Sequence, residues 1–247
     1  MRRTTDGLII REQAIGERDR LVTVLTRDLG IIRAFVRGAK NIKSHMASST
    51  GLLCYSRLSV YEGKDKYIIE DAVPIEVFFQ LRDDIVKLSL AQYFLELDYE
   101  LAPKEEHADD CLRLTLNSLH MLASGKMEPA AVKPIMELRL LSYAGYMPDV
   151  VACHNCGEYL TDRMFFLPQE GRLYCMHCVY PAGCVGLSAG AVQAMRHIVL
   201  SEPSRLFSFR LSPASLGELE EASEQYLMAQ TRRKYKTLDF YHSIATI

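Results

Sequence analysis

Residues 153–178 constrain what this chain can fold into more than any other stretch. The segment begins Cys153-His154-Asn155-Cys156 and, after eighteen residues, ends Cys175-Met176-His177-Cys178. A pair of CxxC turns at this separation is the spacing of a metal site. Four thiolates from two tight turns can surround one Zn²⁺ tetrahedrally, with Zn–S distances of about 2.3 Å. Gly157 follows Cys156 and can adopt the turn conformation that side chains resist. Between the turns, residues 163–167 and 172–174 read as two short strands, and residues 168–171 (PQEG) as the turn that joins them. Four cysteines close the coordination sphere, whereas a hydrolytic zinc keeps a position open for water, so the site reads as structural. His154, His177 and Cys184 are each positioned to replace one thiolate. The competing reading is a pair of redox motifs or free thiols. A thioredoxin-type site needs one CxxC beside a βαβ pattern, and none is present.

The remaining composition narrows the setting. At 247 residues and 49% hydrophobic content the chain can bury two cores. Arg2 and Arg3 lead into polar residues rather than an apolar run, so no secretory signal is expected, and no apolar stretch has membrane-span length. Seven cysteines, four of them at metal spacing, fit a reducing cytoplasm better than a disulfide framework. The net charge of −2 excludes nothing by itself, but it is unevenly spread. Residues 1–80 carry 13 Lys/Arg against 10 Asp/Glu, whereas the rest is acidic. Residues 29–61 hold Arg33, Arg37, Lys40, Lys43 and Arg57 and no acid, which marks one side of one domain as positive.

Residues 1–80 read as five strands: 7–12, 20–26, 31–37, 52–61 and 67–72, with turns at 28–30 and 62–66. The longer excursion, residues 38–51, has room for a short helix. Five strands with one such excursion match a small closed barrel of OB type. Side chains alternate across a strand, so Arg33, Phe35 and Arg37 share one face of the third, and Tyr55, Arg57 and Tyr61 share one face of the fourth. Rings interleaved with cations suit a single-stranded polynucleotide, whose bases stack while its phosphates meet positive groups. The plainer alternative places Phe35 and Tyr55 inside the barrel and leaves the arginines solvated. The candidate nucleic-acid contacts are therefore Arg33, Phe35, Arg37, Lys40, Lys43, Tyr55 and Arg57.

From residue 83 the apolar period becomes helical. Val86, Leu90, Tyr93, Phe94, Leu97 and Leu101 fall on one stripe, and Pro103 ends that helix. Further helices are expected through residues 111–122, 135–143, 188–198 and 212–226, with Ser188 as a cap and Pro213 at a first helical position. The chain thus reads as α+β and multidomain: an OB-type barrel over residues 1–80, then a helical domain over 81–247 with a zinc ribbon inserted at about 150–181. The basic run Arg232-Arg233-Lys234-Tyr235-Lys236 fits either a helix terminus or a charged patch. No GxSxG, HExxH or Gly-rich nucleotide fingerprint is present, and paired acids such as Asp83-Asp84 and Glu220-Glu221 fall on polar faces or loops, so no catalytic residue is assigned.

The chain resembles the RecO family of bacterial DNA repair and recombination proteins over essentially its whole length. The likeness rests on Gly7-Leu8-Ile9-Ile10, on Asp19-Arg20-Leu21, on Gly30-Ile31 with Arg37-Gly38-Ala39-Lys40, and on the two cysteine turns inside a helical C-terminal part. The resemblance implies a recombination mediator rather than an enzyme, cytoplasmic and nucleoid-associated. It implies binding of single- and double-stranded DNA, annealing of complementary strands, and partnership with RecR in helping RecA displace the single-strand-binding protein SSB. It places DNA contacts mainly on the barrel and its basic surroundings, and its zinc-containing subtype implies one structural Zn²⁺ held by Cys153, Cys156, Cys175 and Cys178. The alternative is a zinc-ribbon and barrel module that binds RNA or protein without annealing strands.

Overall fold

The computed structural model describes residues 1–39, 45–64 and 66–245. The chain divides into two compact units, Met1–Ala123 with Thr237–Ile247, and Ser124–Lys236. In the first, the strands are β1 (Arg2–Ile15), β2 (Asp19–Thr26), β3 (Gly30–Val36), β4 (Cys54–Glu62) and β5 (Tyr67–Val77). They close into a barrel in the order β1-β2-β3-β5-β4, the OB-type arrangement expected from the strand count. Closure uses one parallel pairing, Ala34 to Val36 of β3 beside Tyr67 to Ile69 of β5, while β4 returns antiparallel to β1. The excursion between β3 and β4 holds the short helix α1 (His45–Ser49).

Alternation decides which side chains fill the barrel. Ile9, Val24, Ile32, Leu58, Val60 and Ile69 are all at most 2% exposed. Each such burial stabilises the fold by about 1.5–3 kcal/mol relative to leaving the side chain in water. Two strands run longer than their sequence patterns indicate. β1 begins at Arg2, where polar Thr4 and Thr5 carry no apolar alternation but pair fully with β4. β5 continues through Pro74 because the pairing with β4 shifts there: Ser56 faces Pro74 and Tyr55 faces Glu76. Proline lacks an N–H and is tolerated at such an irregularity.

Helix α2 (Ile85–Leu101) starts where Asp84 accepts hydrogen bonds from the N–H groups of Val86 and Lys87, at 2.9 and 3.1 Å. Such caps contribute about 1 kcal/mol. Its apolar stripe is buried at Leu90, Tyr93, Phe94 and Leu97. Helix α3 (Asp109–Ser124) follows. The connection between them is fastened to the barrel, since Ile31 N–H donates to the Pro103 carbonyl at 2.8 Å. That approach requires glycine at position 30. Gly30 has φ +58°, and a Cβ there would lie 2.3 Å from the Pro103 oxygen. A last helix, α7 (Lys236–Ala245), belongs to this unit and was not expected from the sequence. Its Thr237 donates to Glu96 of α2 at 2.5 Å.

In the second unit, α4 (Pro129–Tyr143) packs on α5 (Ala189–Leu200) and α6 (Pro213–Thr231), which in turn pack on a four-stranded sheet ordered β6-β8-β7-β9. The strands are β6 (Asp149–Cys153), β7 (Arg163–Leu167), β8 (Arg172–Cys175) and β9 (Val185–Ser188). Helix α4 reaches back past Pro134 to Pro129. Pro134 lies early enough that only a hydrogen bond near the N-terminus is lost. Ser188 caps α5 and Pro213 opens α6 as expected, with Ser212 as the α6 cap. The basic run lies beyond the end of α6: Arg232 takes a left-handed conformation with φ 53°, and α7 begins at Lys236.

Two buried polar groups carry large consequences. Lys133 of α4 is fully buried and pairs with Glu137 at 3.0 Å and with Glu224 of α6 at 2.9 Å. Removing the lysine would leave a buried carboxylate uncompensated, a loss of about 3–5 kcal/mol. Asp98 of α2 is fully buried, and burial holds its carboxyl well above 3.8, with the hydrogen bond from Thr115 opposing the shift. The folded chain therefore retains a proton that the unfolded chain releases, so this group costs stability as pH rises above the unfolded value. Asp98→Asn should raise the melting temperature near pH 8 and change it little near pH 4. A variant that is no more stable at pH 8 would show that Asp98 folds as a carboxylate.

Candidate metal centre and nucleic-acid interface

The sulfur atoms of Cys153, Cys156, Cys175 and Cys178 all lie within 4.8 Å of one another. Tetrahedral coordination at about 2.3 Å would set neighbouring sulfurs about 3.8 Å apart, and those of Cys156 and Cys175 are 3.6 Å apart. The parallel neighbours β6 and β8 bring the two turns together, because Cys153 ends one and Cys175 ends the other. Each turn is closed by its own backbone: Gly157 N–H donates to the Cys153 carbonyl at 2.9 Å, and Cys178 N–H to the Cys175 carbonyl at 3.3 Å. Gly157 has φ +74°, as its place after the second cysteine requires. Asn155 ties one turn to the other by donating to the Val179 carbonyl at 2.9 Å.

The electrostatics of the cluster favour a cation at its centre. Burial pushes the Cys153 thiol up, but backbone N–H groups of Cys156, Cys175 and Asn155 outweigh it and bring the thiol down to about 6. Cys178 moves the other way, pushed up to about 12 by its hydrogen bonds with Cys156 and then Cys175. Four sulfurs this close cannot all ionise unless positive charge lies between them. The donor set is soft, all-sulfur and closed, which suits a metal ion such as zinc. His154, His177 and Cys184 are not part of the four-sulfur group. The His154 ring instead meets the Tyr174 ring edge-on, with centroids 5.9 Å apart. Sequence reading missed the brace behind the first turn. Arg196 of α5 is 5% exposed, donates to the Val150 carbonyl at 2.7 Å and to the Tyr159 carbonyl, and stacks over the Tyr159 ring at 4.0 Å. A lone arginine on an apolar helical stripe was the available signal.

On the barrel, the expected alternation is present. Arg33 and Arg37 point outward and are exposed, Phe35 between them is half-buried, and Ile32, Ala34 and Val36 are buried. On β4, Tyr55 is half-buried, Arg57 and Tyr61 are exposed, and Leu58 and Val60 are buried. The five candidates among the described residues, Arg33, Phe35, Arg37, Tyr55 and Arg57, do not form one cluster. β3 and β4 are not neighbours, since β5 separates them on one side and β1 with β2 on the other. Arg57 faces Asp6 of β1 across the strand pair and bonds its carboxylate at 3.0 Å. Asp6 also pairs with Arg27 at 3.2 Å, and Arg27 with Asp109 at 3.2 Å, so the charge around Tyr55 and Arg57 is largely neutralised. Arg33 and Arg37 have no carboxylate within 4 Å among the described residues. Lys40 and Lys43 lie outside the described residues.

Comparison with known proteins adds to these sites. The family model described as Recombination protein O N terminal matches residues 1–78, and the one described as Recombination protein O C terminal matches residues 82–239. The chain belongs to the RecO family. It is 35% identical to the DNA repair protein RecO of Acetivibrio thermocellus, over 98% of this chain and 97% of that protein. It is 30% identical to the DNA repair protein RecO of Symbiobacterium thermophilum, over 97% of this chain and 96% of that protein. Membership of the RecO family gives the chain a role in DNA repair and recombination. Among the described residues, no helix is long and apolar enough to cross a membrane.

The candidate metal centre of this RecO-family chain makes a direct prediction. Cys153→Ser or Cys175→Ser should abolish stoichiometric metal binding, measured by elemental analysis of purified protein. Loss of the ion should also destabilise the Ser124–Lys236 unit heavily, since structural zinc contributes on the order of 10 kcal/mol of apparent folding free energy. His154→Ala and His177→Ala should retain the metal. Full metal content in either cysteine variant would show that another side chain completes the sphere.

Proposed function

We propose that this chain is a recombination mediator that binds single- and double-stranded DNA and anneals complementary strands. With RecR, it helps load RecA onto DNA coated by SSB. The work is binding and alignment rather than catalysis. One Zn²⁺ per chain, held by Cys153, Cys156, Cys175 and Cys178, serves a structural purpose. The setting is the bacterial cytoplasm, in association with the nucleoid, with no membrane partner.

The observation that carries this reading is the outer face of β3. Arg33 there and Arg37 just past the strand are exposed, with no acid partner among the described residues, on a closed barrel of the OB type. Half-buried Phe35 lies between them. Guanidinium groups meet phosphates, while aromatic rings accept any base by stacking, so the face binds strands with little sequence preference. Low sequence preference is what an annealing protein needs, because it must hold whichever complementary strands meet. The family's role in DNA repair and recombination agrees with it.

Two measurements test the reading. In a strand-annealing assay with complementary oligonucleotides, the protein should accelerate duplex formation over the spontaneous rate. Binding to RNA or to a protein with no acceleration would favour a barrel module without this activity. In a salt titration with a single-stranded oligonucleotide, Arg33→Ala with Arg37→Ala should flatten the dependence of log K on log[salt] by about 1.4, at about 0.7 per phosphate contact. Arg57→Ala should leave the slope nearly unchanged, because Asp6 already neutralises that side chain. Equal effects at both places would mean that Arg57 leaves Asp6 to meet DNA.

A further inference from the structure

Two clefts flank Arg33 on the outside of the barrel unit. One, of about 560 Å³, is lined by Arg33, Lys64, Lys66, Tyr67, Tyr99 and Lys104, among others. The second, of about 470 Å³, has Arg11, Thr23, Arg33 and Tyr99 in its wall. Arg33 and Tyr99 belong to both, so the two clefts adjoin. The first runs toward the β4–β5 hairpin, and the second toward β1 and β2.

The lining is more basic than the sequence around it implies. None of Arg11, Arg33, Lys64, Lys66 and Lys104 has a carboxylate within 4 Å among the described residues, and all five are exposed. The acids nearby are mostly engaged elsewhere. Glu62 pairs with Arg3 at 3.1 Å, and Glu12 with Arg20 at 3.4 Å. Among the described residues, Glu105 is the remaining acid in the lining, and Asp65, between Lys64 and Lys66 in the sequence, lies outside them. Flat groups lie among these cations: the Arg11 guanidinium stacks over the Tyr99 ring at 3.5 Å, and Tyr67 lines the first cleft. The wall that carries Lys104 is held in place by backbone. Ile31 donates to the Pro103 carbonyl at 2.8 Å, and Gly30 and Ile31 bridge to Lys104 itself.

We propose that the two clefts form one channel for an unpaired polynucleotide strand, with Lys64, Lys66 and Lys104 on phosphates and the Arg11–Tyr99 stack and Tyr67 beside bases. This rests on the reading of the chain as a DNA-binding protein, and it adds contacts outside the β3 face. A single strand fits the chemistry because cations alternate with planar groups along the path. A duplex keeps its bases stacked inside and offers no faces to the planar groups, so the channel favours unpaired strands. An acidic peptide would use the cations but leave the planar groups idle. These residues escape a strand-by-strand reading of the sequence. Lys64 and Lys66 belong to a turn, Lys104 to an interhelical connection, and Tyr99 to a helix, and only the fold assembles them.

The test uses the full chain and a fluorescein-labelled oligo-dT strand, followed by fluorescence anisotropy across salt concentrations. The triple variant Lys64→Ala, Lys66→Ala, Lys104→Ala should bind the strand roughly tenfold or more weakly near physiological salt, and its salt slope should flatten by about 2. Affinity for a blunt duplex should change much less. The three side chains are exposed, so the melting temperature should stay close to that of the unaltered chain. The triple lysine-to-arginine variant should restore binding. If the unaltered chain binds oligo-dT and the alanine variant binds it with the same affinity and slope, the channel is refuted while the DNA-binding reading survives. If the unaltered chain ignores oligo-dT at low salt, the DNA-binding reading fails first. If a polyglutamate peptide of matched charge displaces oligo-dT as well as unlabelled oligo-dT does, the channel is a general anion site and the proposal is overturned.

Discussion

Closure of the five-stranded barrel is the constraint on which the functional surface depends. The parallel pairing of β3 with β5 and the antiparallel return of β4 to β1 leave no free edge. Once the barrel is closed, every residue on β3 has its side assigned. Ile32, Ala34 and Val36 must fill the interior, so Arg33 must face water, and Arg37, one residue past the strand, is exposed as well. Among the described residues neither arginine meets a carboxylate, so both charges remain available. Arg57 shows the opposite case: the same closure sets it across from Asp6, and the pair spends its charge within the protein. Registration between strands, rather than the number of cations, decides which positive charges remain available.

The second unit solves a different problem. A four-stranded sheet with strands of four or five residues cannot bury much apolar surface of its own. Four sulfurs within 4.8 Å could provide the missing cohesion by holding one metal ion between them. Arg196 then links the first cysteine turn to α5 through backbone carbonyls of Val150 and Tyr159. Arg139 of α4 reaches the Val199 carbonyl at 2.6 Å, at the end of α5, and Lys133 joins α4 to α6. The helices and the sheet are therefore coupled by charged groups whose partners are fixed in number and direction. Such groups tolerate repositioning poorly, and loss of the ion should be felt throughout the unit.

Much of this was legible in the sequence wherever a local pattern had a single structural solution. The cysteine spacing located the metal turns and β7 with β8. The alternation of β3 and β4 assigned their faces correctly, Ser188 caps α5, and Pro213 opens α6 as read from the sequence, whereas the Asp84 cap of α2 was not read there. What escaped was non-local. The polar start of β1 is a strand because β4 pairs with it, and β9 is a strand because β7 does. Helix α7 is short and follows a basic run, so it has little pattern of its own; Thr237 bonding to Glu96 of α2 helps fix its place. The acid-free window from residue 29 to 61 is real along the chain, yet it does not survive folding intact, because Asp6 arrives from a distant strand.

The central claim is that a polynucleotide lies against the barrel unit, on and beside β3. Ultraviolet crosslinking of a single-stranded oligonucleotide to the full chain, followed by mass spectrometry of the crosslinked peptides, tests this directly. The account predicts that adducts concentrate in peptides from the Met1–Ala123 segment, chiefly those carrying Phe35, Tyr67 and Tyr99. Adducts confined to residues from Ser124 to Lys236, with the barrel peptides unmodified, would contradict it.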